Sequence, residues 1–167
     1  AGNVELTVSQ NLSLINGGHV LSDTFATGDA GMVKVNANDI TVDGQGVVTL
    51  ISSNAGSNSS GKAGSVEVTA RENLWVLNGG WIESNTSATG DAGTVKVRAT
   101  TITLDGKGND AGISSSAFSG SSGNAGNVDV TAARELKILD RGMIDSVTLA
   151  AGNAGTIKVS ADDITLD

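Results

Sequence analysis

The pair Ala-Gly introduces an apolar run six times, at Ala1, Ala30, Ala63, Ala92, Ala125 and Ala154. The intervals alternate between 29 and 33 residues, so two unequal units make one period of 62. The repeat extends beyond the dipeptide: residues 25 to 44, FATGDAGMVKVNANDITVDG, return at 87 to 106 as SATGDAGTVKVRATTITLDG. A fixed period of this size belongs to chains in which each unit packs only on its neighbours. Inside every unit the apolar residues fall on alternate positions, which is the period of a strand.

If each unit is one turn of a parallel solenoid, equivalent residues stack about 4.8 Å apart. Five columns then line up. Val4, Val33, Val66, Val95, Val128 and Ile157 form the first, and Leu6, Val35, Val68, Val97, Val130 and Val159 the second. The third is Val8, Ala37, Ala70, Ala99, Ala132 and Ala161. Leu12, Ile40, Leu74, Ile102, Leu136 and Ile164 make the fourth, and Leu14, Val42, Val76, Leu104, Ile138 and Leu166 the fifth. A further short run centres on Val20, Ile51, Ile82, Ile113 and Ile144. The expected fold is all-β, a parallel β-helix with three short strands per coil. Connections between parallel strands are overwhelmingly right-handed, so a right-handed helix is expected. Residues 1–167 read as a single repeat segment, with coils starting at 1, 30, 63, 92, 125 and 154. Because the pattern begins and stops within a coil, the segment is read as an uncapped fragment of a longer array.

Such a core can do without aromatic residues, and this chain has only 2% of them, with 23 glycines, no proline and no cysteine. The net charge of −8 argues against nucleic acid and anionic lipid as partners, and no apolar run reaches the roughly 18 residues of a membrane span. The outward column between the first two core columns reads Glu5, Lys34, Glu67, Lys96, Asp129, Lys158. Its sign alternates coil by coil, so stacking places each interior acid between two lysines. Single exposed pairs contribute only about 0 to 1 kcal/mol, which gives the ladder a role in register more than in stability.

The pattern A-G-x-V-x-V-x-A-x-x-I-x-L-x-G, with a third run ending in Ser and a return such as GNAG, resembles the repeat region of the filamentous haemagglutinin family. These are large exoproteins of two-partner secretion systems in Gram-negative bacteria, folded as right-handed parallel β-helices. The resemblance covers the whole chain. It implies an extracellular or cell-surface location and a rod, stalk or fibre-forming role in an adhesin-like exoprotein, while the uncapped apolar ends point to further copies of the repeat as partners, assembled end to end or laterally. Host or matrix glycans are a further partner class that the resemblance brings in. The family's secretion domain, with its Asn-Pro motifs, is not present, since the chain has no proline.

The regularity of the repeat argues against other activities. A polysaccharide-acting enzyme needs clustered carboxylates that break the period, whereas Asp43, Asp105 and Asp167 simply recur with it. His19 has Trp81 and Met143 as its equivalents, and reads as a surface residue. No enzyme activity, catalytic residue, cofactor site or metal site is therefore expected. The stretch DGKGNDAGI, residues 105 to 113, holds Gly106, Gly108 and Asp110 at the spacing of secreted calcium repeats, but in one isolated copy. Ice binding would need flat threonine rows; Thr7, Thr69 and Thr131 are interrupted by Asn36, Arg98 and Ser160, and Thr41, Thr103 and Thr165 by Ser13, Trp75 and Lys137. Trp75 and Trp81 are expected outward, first as simple surface packing and otherwise as a sugar platform or a lateral contact in a fibre. Asn16, Asp43, Asn78, Asp105, Asp140 and Asp167 are expected at one corner, bonding the backbone.

Overall fold

A computed structural model describes residues 1–149 and 151–167. The first coil contributes β1 (Val4–Thr7), β2 (Asn11–Ile15) and β3 (His19–Leu21). The second contributes β4 (Val33–Ala37), β5 (Asp39–Asp43) and β6 (Thr49–Ser52), and the third β7 (Val66–Ala70), β8 (Asn73–Leu77) and β9 (Gly80–Glu83). In the fourth coil the first two runs fuse into β10 (Val95–Asp105), followed by β11 (Ala111–Ser114). The fifth likewise has β12 (Val128–Leu139) and β13 (Gly142–Asp145), and β14 (Ile157–Ser160) and β15 (Asp163–Leu166) open the sixth.

All the pairings between these strands are parallel and join successive coils. The molecule is a β-solenoid. Face one stacks β1, β4, β7, the front of β10 and β12, and β14; face two stacks β2, β5, β8, the back of β10 and β12, and β15; face three stacks β3, β6, β9, β11 and β13. The five inward columns hold in register, for example Val33 on Val66, Val66 on Val95 and Val95 on Val128. From the second to the fourth coil their valine, leucine and isoleucine members are wholly buried. Beyond the three expected strands, each of the first five coils adds a one-residue pairing, through Thr24, Ala55, Thr86, Ala117 and Thr148. No helix among the described residues is long and apolar enough to cross a membrane.

Buried serines give the repeated Ala-Gly its physical meaning. Ser22, Ser53, Ser84, Ser115 and Ser146 point inward just after face three, and all are under a tenth exposed. The Ser84 hydroxyl donates to the carbonyl of Gly64 (2.6 Å) and accepts from the amide of Gly93 (2.9 Å). Ser53 bridges Gly31 to Gly64, and Ser115 bridges Gly93 to Gly126, in the same way. A Cβ on Gly93 would lie 2.1 Å from the carbonyl oxygen of Gly64. Only glycine lets the coils close to strand spacing there. The serine hydroxyls satisfy backbone groups that no strand ladder reaches.

Unequal coils interlock at their corners. The four extra residues of a long coil are a net figure. The corner after face two and the return loop are longer, as expected, but the corner after face one is shorter by one residue, which the expectation missed. Ala37 is followed by Asn38 before β5, whereas Ala70 is followed by Arg71 and Glu72 before β8. The β10–β12 ladder accordingly shifts register between Ala99 and Thr101. At the next corner the Asn/Asp column splits by coil type. In short coils Asn16, Asn78 and Asp140 take left-handed backbone, with φ of 48°, 45° and 34°. In long coils Asp43 and Asp105 stay extended and accept the amides of Gln45 and Lys107 at 3.0 and 3.1 Å.

Candidate functional site

The outward side of face three departs most from the repeat. One column there runs His19, Leu50, Trp81, Gly112, Met143, and the next runs Leu21, Ser52, Glu83, Ser114, Asp145. The equivalence of His19, Trp81 and Met143 is as expected. Past the strands, Asp23, Asn54, Asn85, Ser116 and Val147 continue the face. Each stacks on the next through a side-chain acceptor for a backbone amide: Asp23 for Asn54 (2.8 Å), Asn54 for Asn85 (2.7 Å), Asn85 for Ser116 (2.7 Å), Ser116 for Val147 (3.1 Å).

This ladder ties three carboxylates into one network. Ser52 donates to Asp23 (3.0 Å); Asn54 and Asn85 donate to the two oxygens of Glu83 (2.8 and 2.9 Å); Ser114 and Ser116 both donate to Asp145 (2.6 and 2.7 Å). Burial lifts the Glu83 carboxyl above the ordinary glutamate range, and the nearby Asp23 and Asp145 charges push the same way, against the amide bonds from Asn54 and Asn85. None of the three acids is in an ion pair among the described residues. A groove of about 480 Å³ opens over Glu83 and Asp145, with Asp23 outside its lining. Val48, Leu50 and Trp81 line it toward the second and third coils, and Phe118, Val147 and Leu149 toward the fourth and fifth, with Glu83, Asn85, Ser114, Ser116 and Asp145 as its polar lining. Phe118 and Leu149 are 43% and 63% exposed, so the apolar wall is open to a partner. The groove offers negative charge and apolar surface together, with no histidine, lysine or arginine in its lining.

Sequence reasoning expected no carboxylate cluster outside the period, and here it was incomplete. Glu83 and Asp145 obey the 62-residue period, but Asp23 belongs to a different column, and only the fold brings it to them. The legible signal was the Glu83–Asp145 pair on successive short coils. Trp81 faces outward in the groove, whereas Trp75 lies on face two between Thr41 and Thr103; the two tryptophans do not share a platform. Asp110 forms an ion pair with Arg141. No group of three potential metal ligands occurs among the described residues.

The charge ladder on face one has the expected register, Glu5 on Lys34, Lys34 on Glu67, Glu67 on Lys96, Lys96 on Asp129 and Asp129 on Lys158. Its ion pairs do not close. Glu67 instead meets Arg98, one outward position further along, at 3.6 Å. Elsewhere Asp39 is held below the ordinary aspartate range by side-chain bonds from Asn73 and Asn38, and Asp91 by bonds from the Asn124 amide and the Lys62 side chain.

No family model matches the chain, and neither a curated protein nor a solved structure matches it.

Proposed function

We propose that this chain is a structural rod: a stacked segment of a bacterial surface or secreted exoprotein that projects, or helps to build, an extracellular fibre. The filamentous haemagglutinin resemblance supplies the cellular setting, including export by a two-partner route. One observation carries the mechanical part of the reading, the unbroken stacking of the same columns through every coil. Insertions are confined to corners, so the axis is uninterrupted and length scales with the number of coils. The reading assigns no reaction to the chain.

Inserting extra copies of residues 30–91 tests it. Small-angle X-ray scattering should show the longest dimension growing by about 9.6 Å per inserted unit, two strand spacings, at constant cross-section. A cross-section that grows with each unit would contradict the rod.

A further inference from the structure

Two features on different faces share one pitch. On face one, Lys34, Lys96 and Lys158 stand two coils apart, and none is in an ion pair among the described residues. Lys96 and Lys158 are exposed and Lys34 is half-buried. On face three, Glu83 and Asp145 also stand two coils apart, beside the apolar wall of Trp81 and Phe118. Either spacing is about 9.6 Å along the axis. Lysines in no ion pair and acids in no ion pair are thus set out at the same two-coil pitch on two faces of the same molecule, the acid column beginning at Glu83 because Leu21 holds its place in the first coil.

We propose that the groove on face three of one copy receives the lysine edge of face one of a second copy, so that rods associate side by side. This deepens the fibre reading and rests on it. The lysine stems lie along Trp81, Phe118 and Leu50, and their ammonium groups reach Glu83 and Asp145. Between two docked lysines the edge carries Glu67 or Asp129, and the groove carries Ser114 between its two acids. The intervening acid thus meets a neutral residue. Because the two surfaces differ, the contact is heterologous and adds rods in an open lateral array. Successive contacts along the axis reinforce one another without any new chemistry.

Sedimentation velocity on the whole chain, over a concentration series at low and high salt, tests the proposal. The expected result is concentration-dependent association, weakened about tenfold or more by high salt. A groove variant, Glu83→Gln with Asp145→Lys, and an edge variant, Lys34→Glu with Lys96→Glu and Lys158→Glu, should each sediment as monomers. Mixed together they should associate, because the surviving wild-type edge meets the surviving wild-type groove. Should either variant melt far below the wild type, the natural absence of cysteine allows a milder test. Lys96→Cys and Asp145→Cys chains, mixed under oxidation, should form the mixed disulfide dimer in preference to either self-pair. A wild-type chain that stays monomeric at low salt overturns the proposal, as does a groove variant that associates like the wild type. Monomeric chain that instead retains a sugar on a glycan array would assign the groove to carbohydrate and equally overturn it. None of these outcomes alters the length increments that test the rod itself.

Discussion

A serine hydroxyl bridging two glycines does at one point what a strand ladder does along a row, and its loss should be felt accordingly. Ser84→Ala leaves the Gly64 carbonyl and the Gly93 amide without their bridge, at an expected cost of about 1 to 3 kcal/mol. The opposite holds for Ser121, a buried hydroxyl with no hydrogen-bond partner among the described residues; Ser121→Ala should melt at or above the wild type. Denaturant unfolding of both variants checks the contrast. Glu83 gives the pH-dependent counterpart. Its folded-state carboxyl is raised, so the folded chain binds the proton more tightly than the unfolded one. That stabilisation is complete below the unfolded value of about 4.5 and fades as pH rises through the folded value. Relative to Glu83→Gln, the wild type should therefore gain melting temperature as pH falls from neutral toward 4.5. Asp39 and Asp91, both lowered, act in a separate window: their contribution is present above about 3.8 and is lost as pH falls below it.

Strands divide the chain into inward and outward positions, and substitution should respect that division. Val97 in β10 is fully buried, so Val97→Asp places an unpaired charge in an aliphatic core, at a cost of several kcal/mol. Thr131→Asp, outward in β12, should stay within about 0.5 kcal/mol. Equal shifts in thermal melting would sink the assignment of faces. These five columns were legible in the sequence because period-two alternation is a local signal written in strongly apolar residues. The serine column was legible only as the Ser that ends each third run; its bridging role was not, since Ser53 and Ser84 are followed by Asn, Thr and Ser residues that read as loop. Nor was the fourth pairing, whose residues Thr24 and Ala55 stand alone between turns. The acid network was half legible: Glu83 and Asp145 share the period, while Asp23 joins them only through the Asn54 and Asn85 bonds. The charge ladder was legible in register but not in contact, because side-chain reach took Glu67 to Arg98.

At the scale of the whole molecule the unit is the pair of coils, not the single coil. Long and short coils are complementary at their corners: the amides of Gly46 and Thr49 in a long coil donate to the carbonyls of Asn78 and Gly79 in the short coil above, both at 3.1 Å. The sign of the face-one column alternates with the same two-coil beat. Thermal melting of two deletions measures whether this pairing matters. Removing residues 30–91 takes out one whole unit, so a short coil still meets a long coil and Glu5 still faces a lysine, Lys96. Removing residues 63–91 takes out one short coil. It sets Lys34 beside Lys96 and stacks the Gly44–Val48 loop on Gly106–Asp110, without the short corner that each long loop bonds to. Both deletions keep the apolar columns continuous. Per coil removed, the second should lose more melting temperature, and Lys96→Glu or added salt should restore part of the loss by removing or screening the repulsion. Losses simply proportional to the number of coils removed, with no recovery, would contradict the two-coil unit.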